Sequence, residues 1–326
     1  MPLTQESTSS SAHWNGFFGL AMQGPYSGKA TQSPHRASFP AAGEPGPPLL
    51  CALTHLLPLA VTGADAEAFL DGQVSAAVSQ LPDDRAVLTA WHDPKGRART
   101  LLHLWRTPSG FCLLMPADRL EQLLPKLRMY ILRSRVEITP QNDERAAMGL
   151  FGAPTESQSA WRLLEGTEHC FLRTASADAA RQLWDDAGEE NTGGSLEWRQ
   201  REMLAGIPAM PAAASELFLP QFLDLDRFGG LSFRKGCYIG QEVIARTHYL
   251  GKVKQQLGLA QSNLPVTAGV AVRDGQGRRL GHVLDAVPTG SEKKKWLLQL
   301  VLRDDPTSGV LKADQEPPVT LKRISD

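Results

Sequence analysis

Residues 229–246 read Gly229-Gly230-Leu231-Ser232-Phe233-Arg234-Lys235-Gly236-Cys237-Tyr238-Ile239-Gly240-Gln241-Glu242-Val243-Ile244-Ala245-Arg246. At their centre a lone thiol, Cys237, stands between a cation, Lys235, and two glycines, Gly236 and Gly240. The stretch from Gln241 to Tyr249 has helical character, with Gly240 placed to open it and Gly251 to close it. Glu242 and Arg246 are four apart, a spacing that supports a helix. A neighbouring ammonium and a helix N-terminus both favour a thiolate, so the pattern is that of a working cysteine. The glycines permit backbone conformations that bring the sulfur close to a ligand or partner.

Composition narrows the rest. A chain of 326 residues exceeds the usual single-domain size, so two or three domains are expected. Lys plus Arg number 34 against 35 for Asp plus Glu, a formal net charge of -1. No global field therefore recruits nucleic acid or an acidic membrane, and any partner must be recognised locally. The four cysteines, at 51, 112, 170 and 237, form no Cys-x-x-Cys pair, which is the pattern of reduced thiols in a cytoplasmic protein. Neither a zinc site nor a disulfide framework is indicated, and no metal site is expected. Cys51, Cys112 and Cys170 lie in apolar, strand-like contexts and read as core residues. The most apolar run, Leu49 to Val61, is broken by Thr54, His55 and Pro58 and falls short of the roughly 20 residues a bilayer span takes.

Residues 1–48 are rich in Ser, Gly and Pro and read as a disordered extension, without the basic start of a secretory signal. Strand-like Leu49 to Leu53 and Leu59 to Gly63 follow, then helical Ala64 to Val74. Ala86 to Trp91, Ala98 to Trp105 and Phe111 to Met115 form an antiparallel pattern, its first turn at Asp93 to Gly96. Residues 117–132 have helical spacing with Pro125 as a defect, so that element is expected to be kinked or short. From Val136 to Ala187 short strands alternate with a helix, and from Lys252 onward strands and turns imply a small β-barrel or sandwich. The fold class expected is α+β.

The 229–246 stretch resembles the signature of the YgfZ family, folate-binding proteins of iron-sulfur maturation related to the aminomethyltransferase (T-protein) of the glycine cleavage system. Further landmarks are similar: Val61 to Ala66 with Phe69 to Val74, the turn Asp93-Pro94-Lys95-Gly96-Arg97, Ala205 to Pro208, and Leu219-Pro220-Gln221. The resemblance implies an aminomethyltransferase-like folate-binding fold with a C-terminal small β-barrel. It divides the chain into 49–135 with 199–250 as a discontinuous folate-binding domain, 136–198 as a second α+β domain, and 251–326 as the barrel.

It also implies a reactive Cys237 and a tetrahydrofolate site. A folate presents a donor-rich ring edge and an anionic tail, so its pocket wants polar groups, flat walls and cations. Candidates are Lys235, Gly236, Tyr238, Gly240, Gln241, Glu242 and Arg246 from the motif, and Asp93, Lys95, Gly96 and Arg97 from the turn, with Arg99 and Arg234 as further cations. The bland alternative has Glu242 paired with Arg246 on a solvated helix face and residues 95–99 in an exposed turn. His92 has no third group beside it and reads as a turn histidine. The tryptophans read as core or wall residues, because no basic patch interleaves with them.

Three functions remain open on this reading. The first is a tetrahydrofolate-binding accessory protein for assembly or repair of iron-sulfur proteins, whose partners are those proteins and reduced folate rather than nucleic acid or membrane. A four-thiolate cluster of its own would need every cysteine to converge, so the chain is expected to serve clusters. The second is a folate-dependent aminomethyltransferase or demethylase, and the third a folded scaffold without folate. The related enzymes carry an acidic residue just before the Ala-Gly landmark, where this chain has Leu204 with Glu202 two residues earlier. They also carry an aspartate pair where this chain reads Leu101-Leu102-His103-Leu104-Trp105, and often Asn where it has Asp224. Without that acid, proton transfer lacks its agent, so a conventional enzyme is not expected.

Overall fold

The computed structural model describes residues 49–324 apart from 142–143, 155–159, 251–254, 290–294 and 304–309. The expected extension at 1–48 and the Gly251 helix stop lie outside the described residues. The chain divides into two compact units. The first comprises residues up to Phe69 with Val78–Val87 and Leu102–Trp198, and the second Leu70–Ala77, Leu88–Leu101 and Arg199–Asp326.

In chain order the elements as far as α4 are β1 (Leu49–Ala52), β2 (Leu56–Thr62), α1 (Ala66–Gln73), β3 (Arg85–His92), β4 (Ala98–Thr107), β5 (Gly110–Pro116), α2 (Leu120–Arg128), β6 (Glu137–Pro140), β7 (Ala146–Phe151), β8 (Arg162–Leu164), β9 (Cys170–Ala175), α3 (Ala177–Ala187), β10 (Thr192–Gly193) and α4 (Ser195–Leu204). The strands form one sheet in the order β10-β1-β7-β9-β8-β3-β4-β5-β2-β6. Pro58 has no N–H to give, and β2 tolerates it because pairing with β6 begins one residue later, at Leu59 opposite Pro140. Pro125 lies inside α2, where its missing N–H leaves the Glu121 carbonyl without its usual donor, and the helix is short, at nine residues. The side chain of Ser176 caps α3 by accepting from the Ala179 N–H. Leu50, Met148, Trp161 and Trp184 share one core cluster. Gly149 leaves room for Trp198, whose ring a Cβ there would meet at 2.4 Å.

Unit 2 begins with the end of α1 and the tip of the β3–β4 hairpin, and continues through α5 (Gln241–Leu250) to β11 (Gln255–Ser262), β12 (Ala271–Arg273), β13 (Arg279–Thr289), β14 (Lys295–Arg303), β15 (Leu311–Ala313) and β16 (Val319–Ile324). These last six strands close into a barrel in the order β11-β14-β13-β12-β15-β16, the architecture expected for the C-terminal segment. Alternation builds it: Leu311, Ala313, Val319 and Leu321 point inward, while Lys312 and Thr320 between them face water. Arg199, almost wholly buried on α4, reaches Asp285 on β13 at 3.1 Å and also pairs with Glu202, which ties helix to barrel. Among the described residues no helix is long and apolar enough to cross a membrane.

Candidate functional site

The approach to the cysteine is pinned before the loop begins. The carbonyl of Gly230 accepts from Ser75 Oγ at 2.6 Å and from Thr89 Oγ1 at 3.0 Å, and the Ser232 N–H donates to the Ser75 carbonyl at 2.9 Å. A Cβ on Gly230 would lie 1.8 Å from the Leu88 carbonyl oxygen, so the second glycine of the pair is dictated by backbone contact with β3.

Lys235 then turns inward. Its side chain is 2% exposed, and Nζ donates to the carbonyls of Asp71, Val74 (2.8 Å) and Ala76 (2.6 Å), with the Asp71 carboxylate at 3.4 Å. These acceptors lie where α1 ends, and a helix end leaves carbonyls without donors. Burial lowers the Lys235 ammonium to about 8, opposed by Asp71. All three N–H donors are engaged with this segment, so none is left for the sulfur or for an anionic ligand.

The next fixed point is an interlock of two glycines. Asp93 builds the hairpin turn by accepting the N–H groups of Lys95 (2.9 Å) and Arg97 (2.8 Å) on Oδ1, which lets Gly96 adopt φ +75°. Gly240 opens α5 at φ +81°. A Cβ on Gly240 would stand 2.6 Å from both the Asp93 carbonyl oxygen and Gly96 Cα, and one on Gly96 would stand 3.0 Å from the Gly240 carbonyl oxygen. Turn and motif thus meet backbone to backbone. Asp93 and Gly96 serve this contact from the inside.

Between these anchors the loop presents its chemistry. Gly236 and Cys237 are exposed, whereas Cys51, Cys112 and Cys170 are buried, and burial pushes the Cys112 thiol up. Lys95, Arg234, Glu242 and Arg246 are exposed, and no ion pair joins Glu242 to Arg246 among the described residues. Arg97 donates to the Leu217 carbonyl, while Arg99 pairs with Glu216 at 3.1 Å and lies over the Trp91 ring. Gln241 reaches the Lys235 carbonyl at 3.5 Å. Phe233 stacks on His248 at 3.8 Å, with Tyr249 edge-on to both.

Two buried side chains complete the site. Tyr238 is 7% exposed, with Lys235 Nζ 4.9 Å from its ring and the His92 ring 6.1 Å away. His92 is not a turn residue: it is the last residue of β3 and fully enclosed. Burial, with a smaller effect of Lys235, lowers it to about 3, so it is neutral. Burial along β3 is continuous from Ala86 to His92, so the strand offers no alternation from which the enclosure of His92 could be read.

No protein-family model matches the chain. It is, however, 34% identical over 271 residues to the tRNA-modifying protein YgfZ of Escherichia coli O157:H7, covering 75% of this chain and 82% of that protein. The protein of the same description from Escherichia coli O7:K1 matches to the same extent. This chain belongs to the YgfZ family. Among solved structures, the glycine cleavage system aminomethyltransferase T from Bartonella henselae shares the fold with a TM-score of 0.61 over 85% of each chain, at 14% identity.

In this YgfZ-family chain the positions that differ from the aminomethyltransferases have definite places. Leu204 is 65% exposed at the end of α4. Glu202 is buried in the Arg199–Asp285 ion network and is not offered to a ligand. Leu101, Leu102, Leu104 and Trp105 are buried along β4, and His103 with them. Asp224 has φ +51°, a left-handed conformation that Asn and Asp tolerate better than other side chains, which accounts for their interchange there.

Proposed function

We propose that the chain is a tetrahydrofolate-binding accessory protein that supports iron-sulfur proteins through the thiol of Cys237. The observation that carries this reading is the placement of Cys237: an exposed sulfur on a loop fixed from behind by Lys235 and by the Gly96–Gly240 interlock. A thiol that only filled a core would be enclosed, as the other three are. Tetrahydrofolate, when bound, supplies a one-carbon carrier. The residues that fit its ring are the neutral His92 and Tyr238, whose buried polar atoms have no partner among the described residues, and exposed Lys95, Arg234 and Arg246 suit its anionic tail. The relatives are named for modifying tRNA. A net charge of -1 gives little purchase on an RNA backbone, so the reading extends to this chain as support of iron-sulfur enzymes that modify tRNA.

The test is a deletion strain carrying wild-type or Cys237→Ala protein, scored for tRNA modification and for iron-sulfur enzyme activity under oxidative stress. The variant is expected to fail in both while folding normally, and full complementation overturns the thiol role. Direct binding of tRNA by the purified protein would overturn the indirect route.

A scaffold that has dispensed with folate is favoured by one feature, the enclosure of Glu202 by Arg199 beside the apolar Leu204. Calorimetry with a reduced folate separates the two, since the scaffold predicts no heat. The aminomethyltransferase alternative finds no carboxylate at Leu101–Trp105 to move a proton. Turnover of an aminomethyl or N-methyl donor by purified protein with tetrahydrofolate would restore it.

A further inference from the structure

His92 and Tyr238 stand out among the buried polar side chains of unit 2. Neither Nδ1 nor Nε2 of His92 has a hydrogen-bond partner among the described residues, and the Tyr238 hydroxyl has none either. Their rings are neighbours, 6.1 Å apart and tilted by 45°. They come from the two segments that interlock at Gly96 and Gly240, so their spacing is set by backbone contact and not by a flexible loop.

An enclosed polar atom without a partner costs stability, and an apolar side chain of similar shape would fill the same space without that cost. Three such atoms on two neighbouring side chains amount to hydrogen-bonding capacity that the fold itself leaves unused. Both groups are neutral, because burial holds the imidazole low and pushes the Tyr238 phenol up. A neutral imidazole offers one donor and one acceptor, and a phenol offers one of each. That set does not suit a phosphate or carboxylate, and the adjacent ammonium of Lys235 is fully engaged elsewhere.

We infer that His92 and Tyr238 form a recognition pair for the donor–acceptor edge of an uncharged nitrogen heterocycle, next to the exposed Gly236–Cys237 loop. Outside that loop there is open space, since a Cβ on Gly236 would meet nothing within 4 Å. Naming the heterocycle as the pterin of a reduced folate rests on the function proposed above. The pair would then hold the ring within reach of the segment that carries the thiol.

The test uses titration calorimetry on wild type, His92→Leu and Tyr238→Phe with three probes: 5-formyltetrahydrofolate (ring and tail), 6-methyltetrahydropterin (ring alone) and p-aminobenzoylglutamate (tail alone). Both ring-bearing probes are expected to bind the wild type and to bind each variant about tenfold more weakly, the effect of one lost hydrogen bond of ordinary strength. Affinity for the tail alone should not change. Urea unfolding of the ligand-free variants should show midpoints equal to or above that of the wild type. The inference is overturned if neither ring-bearing probe binds the wild type, or if both variants bind them unchanged. It is equally overturned if both variants lose stability, because the polar atoms would then serve the fold through enclosed water. Ring-alone binding that depends on His92, with no heat from the folate, would overturn the folate reading and keep the pair. Folate binding untouched by either variant would do the reverse.

Discussion

Replacing Lys235 by Met isolates what the buried ammonium does. Lys235 and Met are similar in length and both fill an enclosed channel, but Met cannot donate to the carbonyls of Asp71, Val74 and Ala76. Hydrogen bonds from a charged donor contribute about 1.5–3 kcal/mol each, so three at about 2 kcal/mol total about 6 kcal/mol. Burial works in the opposite direction. A pKa brought from a lysine's ordinary range to about 8 corresponds to about 3 kcal/mol against the charged form, which the substitution relieves. The net expectation is a loss of about 3 kcal/mol, or roughly 6–12 °C in the unfolding midpoint for a domain of this size. Urea unfolding at pH 7 reads it as a lower midpoint at unchanged slope. Alkylation of Cys237 in the folded variant should change rate as well, since the loop loses its inner anchor. A loss below about 1 kcal/mol with unchanged alkylation would refute the argument that Lys235 holds the loop.

Other perturbations test other parts of the site. Gly240→Ala forces a Cβ to 2.6 Å from the Asp93 carbonyl at a positive φ, and a loss of at least about 2 kcal/mol is expected in urea unfolding; a neutral result would mean the interlock is soft. Arg199→Met leaves Glu202 and Asp285 buried together without a cation, for an expected loss of about 3–5 kcal/mol by the same assay, partly restored when Glu202→Gln is added. Because His92 stays neutral down to about 3, only the unfolded chain takes up a proton as the pH falls through about 6.5. Its share of stability is therefore intact above that pH and declines toward about 3, by up to about 1.4 kcal/mol per pH unit, and His92→Leu should flatten this slope in midpoints measured between pH 7 and 4.5. A thiol-specific chromogenic reagent should find one fast thiol in the native protein and four after denaturation; a Cys237→Ser variant that keeps the fast thiol would contradict the burial pattern.

Much of the architecture was legible because hydrophobic period and turn chemistry agreed. The β3–β4 hairpin could be read from apolar runs flanking Asp93-Pro94-Lys95-Gly96, and the shortness of α2 from the proline within it. In the barrel, β13 and β14 were visible as long apolar strands, but β11, β15 and β16 were not. Gln255–Ser262 carries three glutamines and a glycine, β15 is only three residues long, and β16 mixes Thr, Lys and Arg with its apolar positions, so the closure that makes them strands is a tertiary fact. Within the site, glycines and the cysteine announced themselves. The direction of Lys235 did not, because its acceptors are carbonyls at the end of α1, more than 150 residues earlier in the chain. The enclosure of His92 is hidden for a similar reason, as no local pattern says that a residue beside a turn is enclosed by residues from elsewhere.

The contact between Gly96 and Gly240 restricts how such a chain can vary. Each occupies the room a side chain on the other would need, so enlarging either one presses on main-chain atoms that cannot swing aside. A library randomised at both codons and screened for folding should return the double-glycine genotype almost alone. The hairpin and the cysteine loop, separated by well over a hundred residues, are thereby bound to be inherited as one unit.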